Sequence, residues 1–147
     1  DALPICALYG RGEGNRAVNV LNDGLQRYPG VEQWRLTAAK IFFKENKLVG
    51  AFSYLDTQLQ GASREFYSLQ GSLARQLNRF DKAEQAYMKL TELEPLVGNW
   101  WLGLAIAQDS LGKLEEAVSS YRTVLATGGV SADSTNFARQ RLAQLKG

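Results

Sequence analysis

The sequence predicts an all-α fold: a right-handed superhelical solenoid of antiparallel helix pairs, closed by a C-terminal capping helix. Three observations lead there. Alanines recur at Ala17, Ala51, Ala83 and Ala117, separated by 34, 32 and 34 residues. Four positions after each stands a large residue, Leu21, Leu55, Tyr87 or Tyr121, so each pair shares one helical face. Pro29 and Pro95 lie 66 residues apart, and so do Trp34 and Trp100. A period of this length marks a repeat architecture, in which each unit buries its apolar face only by stacking on its neighbours.

This frame places helices at residues 2–9, 14–27, 31–44, 48–59, 63–77, 81–93, 98–110, 115–126 and 132–145. Between them fall turn-forming residues: Gly10 to Glu13, Pro29-Gly30, Glu45 to Lys47, Gly61-Ala62, Asn78 to Phe80, Leu96-Val97, Leu111 to Lys113 and Gly128-Gly129. One domain over 1–147 is expected, with repeats at 1–30, 31–62, 63–97 and 98–130 and the cap at 131–147. Two residues are lost around Gln60 to Ser63, where a short loop takes the place of the expected proline. In the cap, Phe137, Leu142 and Leu145 form an apolar stripe among polar residues, as a solenoid end requires. The first repeat is the least regular, because glycines stand where a helix would carry side chains.

Shifting the second half by 34 residues lays Tyr67 on Trp101, Phe80 on Leu114, Ala83 on Ala117, Tyr87 on Tyr121 and Leu90 on Val124. Trp101-x2-Leu104 and Ala117-x3-Tyr121, with Gly71, Ala83-x3-Tyr87 and Pro95 in the preceding block, resemble the tetratricopeptide repeat. Small residues (Gly71, Ala83, Ala105 and Ala117) let two helices approach, the aromatic residues fill the space between pairs, and Pro95 follows the second helix.

Composition excludes several functions. The 147 residues contain no histidine, which removes the commonest general base and zinc ligand. A single cysteine, Cys6, makes no internal disulfide and reads as a small buried hydrophobe. A formal charge of +2 is too small to argue for nucleic acid. The longest apolar stretches, Ala2 to Tyr9 and Trp100 to Ala107, fall far short of the ~20 residues a spanning helix needs. Gly10-Arg11-Gly12-Glu13-Gly14 has no preceding strand and reads as a turn, not a phosphate loop. The carboxylates of Glu92-Glu94 and Glu115-Glu116 lie on solvated faces or at helix ends. No enzyme, cofactor, metal or nucleic-acid partner is expected. Trp101 is assigned to the core, whereas Trp34 and Trp100 fit either inter-repeat packing or an exposed anchor for a partner.

The surface expected to act is the concave one, lined by the first helix of each pair. Its exposed side would carry Gln33, Leu36, Lys40, Phe43 and Lys44, then Ser68, Ser72, Arg75 and Gln76, then Asn99, Leu102, Ile106 and Asp109. Tetratricopeptide domains that clamp the acidic tail of a cytosolic chaperone use a fixed set of Lys, Asn and Arg residues. Only Lys40, Arg75 and Asn99 match in type, with incomplete spacing, so that partner is not expected.

A narrower resemblance rests on the run from Gly98 through Trp100-Trp101 to Gly112, on Tyr121-Arg122, on Gln140 to Leu142 and on Tyr67 to Gly71. These are similar to the C-terminal domain of the MSHA (type IV) pilus biogenesis protein family MshN. The resemblance implies a non-catalytic scaffold whose ligands are protein or peptide, among them other pilus assembly proteins. It also implies a bacterial envelope location, as the periplasmic part of an inner-membrane-anchored protein. A start at Asp1 rather than Met fits a piece of such a parent. The competing expectation is a self-associating structural domain of another envelope or secretion assembly, in which Trp34 mates with a second copy.

Overall fold

The computed structural model describes residues 14–146. Among them are eight helices and no strand: α1 (Gly14–Arg27), α2 (Glu32–Lys44), α3 (Leu48–Leu55), α4 (Arg64–Gln76), α5 (Phe80–Leu93), α6 (Gly98–Ser110), α7 (Leu114–Thr127) and α8 (Ala132–Lys146). The expected helix at 2–9, Cys6 and the Gly10 to Glu13 turn lie outside the described residues. No described helix is long and apolar enough to cross a membrane. The chain divides into two compact units, one ending at Phe66 and the other starting at Tyr67.

Three of the turns are built alike. After α2, Asn46 takes φ 60°, after α4 Asn78 takes φ 57°, and after α6 Gly112 takes φ 76°. At each, the left-handed residue donates its N–H three residues back: Asn46 to Phe43 at 2.9 Å, Asn78 to Arg75 at 3.0 Å and Gly112 to Asp109 at 3.0 Å. The next residue donates five back: Lys47 to Phe42, Arg79 to Ala74 and Lys113 to Gln108. This double bond satisfies the last carbonyls of the helix and suits Asn and Gly, which tolerate positive φ. Serines begin two other helices, where the Ser63 hydroxyl accepts the Phe66 N–H and the Ser131 hydroxyl accepts the Ser134 N–H.

In the first unit, Ala17 and Leu21 of α1 meet Ala38 and Ile41 of α2, with Val18, Trp34 and Tyr54 packed around them. The Tyr54 hydroxyl donates to Asn22 at 2.7 Å, and Arg35 donates to the carbonyls of Pro29 and Tyr54. Trp34 takes the packing role. A side chain on Gly24 would come within 2.8 Å of its ring, and Tyr28 meets it edge-on at 6.2 Å. The glycine that weakens the α1 pattern is the space Trp34 occupies.

The second helix of this unit is shorter than the expected 48–59 and stops at Leu55, the last fully buried position. Gln58 and Gln60 are exposed, and the chain reverses at Gly61 with φ 64°. With no apolar position left to bury, continuing the helix would gain little. Glu32 accepts the Ser63 N–H at 2.6 Å and holds the end of that loop.

In the second unit, Ala105, Ala117, Tyr121, Val124, Ala138 and Leu142 form a core that α6, α7 and α8 share. Trp101 packs against it while donating its indole N–H to the Pro95 carbonyl at 2.8 Å. Trp100 is half-buried, its indole N–H given to Glu94. All four marker alanines, Ala17, Ala51, Ala83 and Ala117, have no exposed surface.

Candidate functional site

The predicted face divides between the units. In the first, α2 exposes Gln33, Lys40, Phe43 and Lys44. Lys40 is ion-paired with Glu65, and Phe43 keeps 45% of its surface in solvent. Leu36 does not belong with them: it is 1% exposed. Buried residues of α2 (Leu36, Ala38, Ala39 and Ile41) are spread around most of the helix, so its solvent-facing arc is narrower than a one-sided amphipathic reading allows.

In the second unit, Arg75 and Gln76 of α4 and Asn99 of α6 are exposed, and Ser68 and Ser72 are half-buried. Gln76 donates to the Ser72 hydroxyl at 3.2 Å. Leu102 and Ile106 are half-buried and pack on the α6–α8 core, so only part of each side chain faces solvent.

Asp109 does not act as an open groove acid. Its Oδ2 accepts the Tyr121 hydroxyl at 3.0 Å and Arg141 Nε at 2.8 Å, while its Oδ1 accepts a second guanidinium N–H at 2.8 Å. These bonds fasten α8 to α6 and α7, with Phe137 edge-on to the Tyr121 ring at 6.0 Å. The Arg141 hydrogen bonds hold the Asp109 carboxyl below its ordinary range, burial opposes them, and the Tyr121 hydroxyl adds to the lowering. Burial first, and Asp109 second, push the Tyr121 phenol up.

A carboxyl that titrates lower when folded adds stability above its unfolded range and loses it as pH falls through the folded value. Thermal unfolding of wild type should therefore weaken as pH drops below about 4. Asp109→Asn is expected to melt lower at neutral pH and to show a flatter acid dependence; equal slopes in the two proteins would refute the clasp.

Sequence reasoning missed Tyr87, Glu65 and Arg141 as partners of the predicted residues. A signal for the clasp was present: Asp109 and Tyr121 are 12 apart, as are Arg75 and Tyr87 in the preceding repeat. Tyr87 lies between two glycines. A Cβ on Gly71 would sit 3.1 Å from its Cε2, and one on Gly103 would sit 2.5 Å from its Cζ. Among the described residues no group of three His, Cys, Asp or Glu side chains could hold a metal ion.

Residues 68–132 match the family model of the tetratricopeptide repeat. Solved structures agree over a longer span. The chain is similar to MamA at 18% identity and TM-score 0.67, covering 95% of this chain and 80% of that one. It is also similar to a tetratricopeptide repeat protein from Parabacteroides merdae at 16% identity and TM-score 0.72, covering 99% and 59%. The first tetratricopeptide domain of Spaghetti (RPAP3), bound to the HSP90 peptide SRMEEVD, matches at 21% identity and TM-score 0.64, covering 79% and 96%. No curated protein matches the sequence. The fold is the all-α fold of a tetratricopeptide-repeat domain, a class of protein-interaction module.

Proposed function

We propose that this domain is a non-catalytic scaffold that binds a protein or peptide on the exposed faces of its first helices and helps to assemble a type IV (MSHA) pilus biogenesis machine in the bacterial envelope. The observation that carries the binding role is the polar, partly open face of α4 and α6. Ser68, Ser72, Arg75, Gln76 and Asn99 stand there above a fully packed framework. A structural neighbour of this fold holds a peptide. The pilus assignment is supported by the resemblance of the Gly98 to Gly112 run to the MshN family, and the periplasmic, membrane-anchored setting follows from that resemblance.

Crosslinking pull-down from envelope extracts, read by mass spectrometry, tests the assignment. Recovery of pilus inner-membrane or secretin-associated proteins supports it, whereas recovery of copies of the domain alone replaces it with self-association. Ser72→Trp, which fills the α4 face beside Arg75 and Gln76, is expected to reduce partner capture about ten-fold or more with the helical circular-dichroism signal unchanged. Undiminished capture by this variant would move the binding surface elsewhere.

A further inference from the structure

The second unit repeats one arrangement of side chains with different charges. In the later repeat, an acid (Asp109) lies between a phenol (Tyr121) and a guanidinium (Arg141). Thirty-four residues earlier the corresponding positions hold Arg75, Tyr87 and Ala107. Tyr87 occupies its place faithfully, its ring running between Gly71 of α4 and Gly103 of α6. Arg75 lies one turn beyond Gly71 on the same face of α4, which brings its guanidinium to the side of that ring. Ala107 is buried and too short to cover the phenol as Arg141 covers its counterpart.

The consequence is an incomplete set. Among the described residues no carboxylate pairs with Arg75, which is exposed. No described side chain hydrogen-bonds the Tyr87 hydroxyl, yet no buried polar side-chain atom there is left unsatisfied, so the hydroxyl reaches solvent. Tyr87 accordingly retains 5% exposure where Tyr121 retains none. Two donors converge, and the acceptor that the later repeat supplies internally is missing.

We propose that Arg75 and Tyr87 form a carboxylate-binding subsite on the α4 face, filled by the Asp or Glu side chain of an extended peptide, as Asp109 fills the space between Tyr121 and Arg141. The proposal rests on the interaction-face reading above and specifies its ligand. A guanidinium is charged at every accessible pH and presents paired N–H groups that match a carboxylate. The phenol keeps its proton for donation, because burial raises Tyr87 and the Arg75 charge only partly opposes it. An acidic side chain is favoured over a terminal carboxylate because the internal counterpart, Asp109, is itself a side chain.

The test is selection of short random peptides, displayed without a free C-terminus, on the intact domain. Wild type is expected to enrich peptides with Asp or Glu at one register, and Arg75→Gln to lose that preference. Tyr87→Phe should bind a selected peptide about ten-fold more weakly. Exchanging the peptide's acid for its amide should weaken binding to wild type but scarcely affect Arg75→Gln. A merely structural role for Arg75 would leave the two effects additive. Selected peptides without an acidic register, or an acid-to-amide effect equal on both proteins, would overturn the subsite. So would enrichment that appears only when peptides present a free terminal carboxylate. Ser72→Trp separates the two readings. Loss of every peptide with this variant keeps the interaction face even if the acid preference is absent, and unchanged binding overturns both.

Discussion

Tyr121→Ala is expected to destabilise the second unit by about 3–5 kcal/mol, the usual cost of deleting a buried aromatic ring. Tyr121 is the largest side chain with no exposed surface, and it packs with Ala105, Ala117, Val124, Ala138 and Leu142. Its removal opens a cavity where three helices meet and also takes the hydroxyl from Asp109. Domains of this size have a total stability of about 5–15 kcal/mol, so the loss is a large fraction of the whole. Tyr121→Phe divides the two contributions. It keeps the ring and its contact with Phe137 and forfeits one hydrogen bond to a carboxylate, about 1.5–3 kcal/mol at most before solvent screening. Urea denaturation followed by circular dichroism measures both. Equal losses in the two variants would mean that the hydroxyl, and not ring packing, holds the cap.

Gly103→Ala is expected to destabilise despite the better helix former. In an open helix the change gains about 0.5–1 kcal/mol. Here the new methyl would lie 2.5 Å from Tyr87 Cζ, and the ring has no free side to retreat to, because Gly71 bounds it opposite. Overpacking of this kind costs about 1–3 kcal/mol, so the sum is a net loss of about 1–2 kcal/mol. Gly71→Ala provides the graded comparison: its methyl would meet the same ring at 3.1 Å, a contact that a few tenths of an ångström relieve, and its effect should be close to neutral. Adding Tyr87→Leu to Gly103→Ala should recover part of the loss in a double-mutant cycle. A stabilised Gly103→Ala would show that α4 and α6 are not held apart by this ring.

The helices and turns were legible in the sequence because both depend on near neighbours along the chain. The alanine period identified Ala17, Ala51, Ala83 and Ala117, which are all buried, and Asn46, Asn78 and Gly112 marked the turns through their tolerance of left-handed backbone. Tertiary structure decided the rest. Leu36 and Asp109 fall on the helix side that a simple wheel exposes, but a helix flanked on more than one side buries a wider arc, so Leu36 joins the core. Asp109 is taken by Arg141, 32 residues away, a partner that no local pattern indicates. Trp34 became a packing residue through the absence of a side chain at Gly24 on the neighbouring helix. Near-neighbour periodicity therefore sets which segments are helical and which positions are small. Which polar groups are left to meet a partner depends on contacts distant in sequence, since a charge is available only where the fold brings no internal counter-charge to it.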